Sequence, residues 1–453
     1  MKTRNRPPFL LTPTVLIRLT ALMALLSPSV AQAGFTETLP QFAFLLDESF
    51  VYAWVSRTYD NNGDKTPLVE ELKSYEPGSG LQGILRPEPY VENYVLINQL
   101  QFGILDYLSL GVGIPVLLRS TIDPRFGWIP GDYQSRLGHA YTEEDFWEWT
   151  NAMGQPKPEA FDGNHGTLAD MVVGLRYRFT DHFDVFERTA VAMALTVTGS
   201  IPTGENSDPE EVVAIGTTNW DLQSQGDLAF HLGLDKRFRD ELDDRLVLGV
   251  DVFYETWFAR TLTTPTGERH PLLLNYAPYV GKNYTFDPGD LSGFSVELTG
   301  VPYKGPAWGT WLVGHRAAKA ESLPPIISLS ARYTFVHLQQ SDWDSDAPHW
   351  DWERERDYRP GYKNPLQFKA QFSFLRLGAP LQIYAAYRTL SLIPGKNARA
   401  VDAVSVGIQI PFKLWGFESE KAAEEESPAV SPGEGTGTSK PAEEPPAEAA
   451  PTP

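Results

Sequence analysis

The stretch Val404-Ser405-Val406-Gly407-Ile408-Gln409-Ile410-Pro411-Phe412 decides the fold. Val404, Val406, Ile408, Ile410 and Phe412 are apolar, and Ser405, Gly407, Gln409 and Pro411 between them are small or polar. In an extended chain successive side chains point to opposite faces, so this is a strand with one apolar face and one that tolerates water. Trp415 and Phe417 follow, and then residues 418–453 turn to Pro, Glu and Ala with almost no large apolar side chain. Such a segment cannot bury enough surface to offset its ordering entropy and is expected to be a disordered tail.

The same alternation recurs upstream. Leu366, Phe368, Ala370, Phe372 and Phe374 oppose Gln367, Lys369, Gln371 and Ser373; Ile327, Leu329, Tyr333 and Phe335 oppose Ser328, Ser330, Arg332 and Thr334. Leu246 to Tyr254, Leu228 to Leu234, Val191 to Ile201 and Met171 to Phe179 repeat it. Asn93–Ile104 and Leu108–Leu118, joined at Leu105-Asp106-Tyr107, form a tight hairpin, and strands are also expected at Ser49–Tyr59, Phe294–Val301 and Leu381–Leu392. This gives about twelve strands of roughly ten residues with short and long connections alternating, the pattern of an outer-membrane barrel with short periplasmic turns and long external loops. If Trp308–Gly314 were also a paired strand the count would be fourteen. The expectation is an all-β transmembrane antiparallel up-and-down β-barrel over 34–417. Its long loops fall at about 119–167, 260–289 and 340–363.

Composition narrows the alternatives. Lys2, Arg4 and Arg6, the apolar run Val15–Leu26 and Ala31-Gln32-Ala33 read as a secretory signal peptide over 1–33, cleaved before Gly34. The chain has no Cys, which excludes a disulfide scaffold, a thiolate metal site and a lipid-anchored N-terminus. No later run is long and apolar enough for a spanning helix. A net charge of −20 argues against nucleic acid as a partner. The partners expected instead are outer-membrane lipid, the barrel-assembly machinery, small-molecule solutes, and a periplasmic or cell-wall partner for the tail.

Ser405, Gly407, Ile410 and Phe412 resemble the polar-x-Gly-x-x-apolar-x-aromatic assembly signal that closes bacterial outer-membrane barrels. The hairpins resemble the bacterial outer-membrane transporter family of the "MetA-pathway of phenol degradation" type. The matching residues are Gly103-Ile104-Leu105-Asp106-Tyr107-Leu108-Ser109-Leu110-Gly111-Val112-Gly113-Ile114-Pro115, Gly166 to Asp170 with Tyr177-Arg178-Phe179, and Ile201-Pro202-Thr203-Gly204. That resemblance implies a porin-like barrel passing small, often aromatic or hydrophobic, molecules. The alternative is a non-conducting barrel serving as a structural or binding platform through its loops and tail.

Candidate site residues lie on the polar faces. Gln99, Gln101, Arg176, Arg178, Asp227, His231, Asp235, Asp251, Arg332, Lys369, Gln371, Arg388 and Gln409 are expected to line or fill the lumen. Asp60, Asn62, Asp64, Thr66 and Glu71 stand at positions 1, 3, 5, 7 and 12 of a calcium loop, but Lys65 occupies its glycine position, and a polar hairpin turn accounts for the same residues. No other cofactor is expected. Catalysis is not expected either: His231, between Asp227 and Asp235, reads as a polar wall residue, and Asn164-His165-Gly166-Thr167 lacks the Ser a phospholipase would need. In the long acidic loop, Thr142 is placed to cap a short helix with Asp145 at its third position.

Overall fold

The structure is a computed structural model, and it describes residues 35–413 apart from 70, 77–79, 133–137, 153–156, 158, 164–165, 205–211, 215–216, 219–225, 239–241, 264–281, 306–323 and 346–359. The signal peptide, the tail and Trp308–Gly314 lie outside the described residues.

Twelve strands form one closed antiparallel wall. They are β1 (Ala43–Tyr59), β2 (Tyr90–Leu105), β3 (Leu108–Asp123) and β4 (Met171–Tyr177). Then come β5 (Val191–Ile201), β6 (Asp227–Arg237), β7 (Leu246–Trp257) and β8 (Leu291–Tyr303). The last four are β9 (Ile327–Leu338), β10 (Leu366–Ser373), β11 (Gln382–Thr389) and β12 (Ala398–Lys413). Each pairs with its neighbour in sequence, and β12 returns to pair with β1 from Ala43↔Lys413 to Val55↔Val401. No strand of the wall has a free edge, which is what a sheet in hydrocarbon requires.

The alternation explains which face is which. Leu232, Val252, Leu298, Leu329, Phe368, Val406 and Ile408 are exposed on the outside, while Asp235, Asp251, Glu297, Ser295, Gln409 and Thr196 are buried inside. An exterior this apolar would be unstable in water and is stable in lipid. Aromatic rings mark one edge of the lipid band: Phe44 stacks on Phe412 at 5.3 Å and meets Phe102 at 4.6 Å. Tyr52, Trp54 and Tyr94 cluster at the other. With an even strand number, tight turns at one end and long loops at the other, this is a barrel of the bacterial outer membrane.

Several strand ends differ from what the alternation suggests. β1 starts at Ala43 and not Ser49, because Phe44 and Leu46 keep the two-residue period into the periplasmic aromatic belt. β10 stops at Ser373, short of Leu375, since a 3-10 turn at Leu375–Leu377 takes over and Gly378 follows at φ 94°; at the other end β11 stops at Thr389, short of Leu392, where bends take over. The region before Pro89 and the acidic loop are not plain loops. Leu72–Glu76, Gly80–Pro87 and Phe126–Pro130 form a separate three-stranded sheet. Helix α1 (Glu143–Ala152) packs on it, around Leu85, Tyr141 and Phe146 with Trp128 and Trp147 against them. The Thr142–Asp145 cap is present in both directions: Asp145 N–H donates to Thr142 Oγ1 at 3.2 Å, and Thr142 N–H donates to Asp145 Oδ2 at 2.7 Å. A second external sheet joins Arg260–Thr263, Asn283–Asp287 and Asp342–Asp344.

Candidate functional site

The interior divides into two halves of different chemistry. At the periplasmic end, the residues just before β1 do not leave the barrel; they cross its mouth as a strap. Phe35 N–H donates to Asp235 Oδ1 at 3.1 Å, and Thr36 donates its N–H and its hydroxyl to Asp235 Oδ2 at 2.7 and 2.6 Å. Arg176 donates to the Glu37 carbonyl at 3.1 Å and Arg237 to the Glu37 carboxylate at 2.9 Å. Thr38 Oγ1–H donates to the Asp106 carbonyl at 2.6 Å, and Leu39 N–H to Ser109 Oγ at 2.8 Å. The strap thus runs from β6 to the β2–β3 turn. Burial pushes the Glu37 carboxyl above its ordinary value, and the Arg237 guanidinium pulls the other way.

The barrel makes room for it. A Cβ on Gly233 would stand 2.8 Å from the Phe35 Cβ, and one on Gly249 would stand 2.9 Å from its ring. The Arg332 guanidinium covers the same ring at 4.6 Å while donating to Glu297.

Above the strap the polar residues brace one another. Asp47 accepts from Tyr384 at 3.0 Å and from Gln409 at 2.7 Å, and the Lys369 ammonium sits 4.6 Å over the Tyr384 ring. Gln371 donates to Gln382. His231 Nδ1 lies 3.0 Å from Asp251 Oδ2 with the ring stacked on Phe253. Asp227 stands near the external end of β6, where it accepts from Ser200 at 2.6 Å. Arg388 faces inward from β11, with Gln367 between it and Arg332 in register. Gln101 is buried on β2, and the side-chain oxygens of Gln99 and Gln409, on either side of Asp47 in register, are buried with no hydrogen-bond partner. Arg178 is placed differently from the sequence expectation. It lies one residue past the end of β4, at the periplasmic mouth, where it pairs with Asp181 at 2.6 Å and also donates to the Asp106 carbonyl that accepts from Thr38 of the strap. The strand ends at Tyr177, so Arg178 meets the strap at the rim and not the middle of the lumen.

The external half of one wall carries an apolar cluster, with Asn93 buried beside Ala53 in register. Val51 and Ala53 on β1, Val95 and Ile97 on β2 and Leu117 on β3 form one buried cluster, extended by Val401 and Ala403 of β12. All face inward, so they make a continuous column on four neighbouring strands. Neither this column nor the strap stands out in sequence reading. The column residues sit where polar side chains are expected, and 34–48 reads only as a lead into β1. The available signal was the inward run Val51, Ala53, Val55 opposite the outward Tyr52 and Trp54: apolar side chains on both faces of one strand.

The remaining candidates fall elsewhere. Ser405, Gly407, Ile410 and Phe412 lie on β12, where Gly407 lets the Tyr384 ring lie against the strand; a Cβ there would stand 2.5 Å from that ring. Asp60 Oδ1 accepts the N–H groups of Asn62 and Asp64 at 2.8 and 2.9 Å, Thr66 pairs with Thr58 in a short hairpin, and Glu71 binds Arg86 at 2.5 Å. The Asp60 carboxylate is thus engaged by backbone N–H groups and the Glu71 carboxylate by Arg86. Among the described residues no three Asp, Glu, His or Cys side chains gather as a metal site.

No family model and no curated protein matches the chain. Solved structures do. An outer membrane channel from Pseudomonas putida F1 is 10% identical with a TM-score of 0.49, covering 84% of this chain and 100% of its own. The CymD monoaromatic hydrocarbon channel is 10% identical with a TM-score of 0.30, covering 84% and 90%. The NanC porin is 8% identical with a TM-score of 0.32, covering 80% and 98%.

Proposed function

We propose that this barrel lets small aromatic or hydrophobic molecules cross the outer membrane passively, with the Phe35–Leu39 strap closing the periplasmic exit. The observation that carries this is the apolar column on β12, β1, β2 and β3. A barrel of this size that served only as a scaffold would be expected to fill its whole interior with paired charges, as the periplasmic half does. Val51, Ala53, Val95, Ile97 and Leu117 are instead packed against one another by undirected contacts, which a hydrophobic solute can part and replace. The hairpin resemblance to the phenol-degradation type of transporter points to the same solute class.

In the docked state the strap and the polar braces fill the exit, so passage requires the strap to move. The experiment is flux of a small phenol against a sugar of similar size into proteoliposomes, with a strap deletion alongside. Faster phenol entry, raised further by removing 35–39, is the expected result. No entry of either solute, with or without the strap, would favour the non-conducting platform.

A further inference from the structure

Between the aromatic belts the described lipid-facing surface carries one polar pair, and no lipid chemistry accounts for it. Every outward side chain on β4, β5, β10 and β11 between the two aromatic belts is apolar or Gly. On β1 the outward series runs Phe44, Leu46, Glu48, Phe50, Tyr52, so Glu48 stands midway between the periplasmic Phe44 and the external Tyr52. Its neighbour in register on β2 is Asn98, also outward, and its neighbour on β12 is Ile408. Glu48 is exposed and Asn98 half-exposed, and among the described residues neither side chain has a hydrogen-bond or ion-pair partner.

A carboxylate facing acyl chains near mid-bilayer is costly, and such residues are ordinarily paired or facing protein. Nothing among the described residues supplies the pairing.

We infer that the outer face of β1 and β2 is a subunit interface within the membrane, and that the occupant is a second copy of this chain. Complementarity selects this occupant. Glu48 can only accept when ionised, Asn98 can donate through its amide, and the two sit one strand spacing apart, about 5 Å. A twofold axis along the membrane normal passing between β1 and β2 would set Glu48 of each copy against Asn98 of the other, so the contact satisfies both groups twice. The wall is also tallest here: β1, β2, β3 and β12 have 17, 16, 16 and 16 residues, against 7 to 13 elsewhere. Above the pair, Phe50, Tyr52 and Tyr94 form an aromatic cluster on the same face, the side-chain type that dominates the centres of interfaces.

Because the chain has no Cys, single-cysteine reporters are clean. The full chain would be reconstituted in lipid bilayers as Leu96→Cys on the proposed face and Leu232→Cys on β6, then treated with a short bis-maleimide. Its mass in nanodiscs would be measured in parallel. The expected result is a cross-linked dimer for Leu96→Cys and none for Leu232→Cys. Glu48→Leu and Asn98→Leu should each lower the dimer yield at least tenfold while heat-modifiability shows the barrel still folded. Three outcomes overturn the inference: a monomeric mass with no Leu96→Cys adduct; an adduct with a different protein; or a bound lipid that is lost on Glu48→Leu without any change in protein mass. A dimer that forms equally well with Leu at both positions overturns it too.

Discussion

The periplasmic and external halves of the interior are built by the same strands and the same alternation, yet they hold together by different forces. In the lower half Asp47, Asp235, Asp251 and Glu297 each have a named hydrogen-bond donor or a cation against them. In the upper half Val51, Ala53, Val95 and Leu117 simply exclude water. Charged braces are directional and fail when one partner is removed, because the other is left buried and unpaired. Apolar contacts are undirected and yield to any solute of suitable size. The lower half is therefore suited to hold a strap in one position, and the upper half to admit molecules without choosing closely among them.

The sharpest way to break that contrast is to delete 35–39 from the mature protein. The lower half then loses its occupant while the wall keeps its pairing, and single-channel recording should show a permanently larger conductance. An unchanged conductance would mean that the braces, and not the strap, set the narrowest point. Asp235→Ala should act in the same direction but reversibly. It removes the acceptor for Phe35 N–H, Thr36 N–H and the Thr36 hydroxyl. Charge-assisted bonds of this kind contribute about 3 kcal/mol together after mutual compensation, so the unlatched fraction should rise roughly a hundredfold. The readout is open probability, with a thermal shift of the barrel as the check that the wall survives.

Val95→Thr tests the upper half. It keeps the shape and adds a hydroxyl to a side chain that is 2% exposed. An unpartnered hydroxyl there costs about 1–3 kcal/mol. The expected consequence is slower phenol flux with the ionic conductance of the strap deletion unchanged. Equal loss of both would argue that solute and ions share one path, and that the apolar column has no selective part in it.

These halves were unequally legible in the sequence. The period of two in Val404–Phe412 and its eleven relatives gives the strand number, the direction of each side chain and, through the loop lengths, which end faces the periplasm. It carries no information about what occupies the lumen, because a strap joined to β1 obeys no periodicity of its own. Phe35 is held by Asp235 and Arg332, 200 and 297 positions away in the chain, and nothing local marks that contact. Alternation also misleads where both faces are apolar, as in β1. Glu48 and Asn98 show the opposite case. Each breaks the apolar series of its strand, and the exception is visible in sequence only once the strands are in register.

The smallest effect concerns what stands outside the barrel, and it separates the external sheet-and-helix unit from the apolar half beneath it. Asp145 accepts the Thr142 N–H and hydroxyl and lies 3.0 Å from His139 Nε2. The backbone N–H bond from Thr142, more than any other contact, holds its carboxyl below the ordinary Asp value of 3.8. A depressed folded value means that the cap contributes stability above the unfolded value, and that this contribution is lost only as the pH falls through the folded one. Amide exchange in α1 should therefore be protected equally at pH 7 and pH 5, and should weaken only in stronger acid. Asp145→Ala should lose about 1 kcal/mol of that protection at pH 7 and remove its acid dependence. Phenol flux should stay at the wild-type rate if α1 and its sheet only cover the loops. A fall in flux with the barrel's thermal stability intact would make this unit part of the solute's way in, and would extend the apolar route beyond the wall to the aromatic core around Phe146 and Trp128.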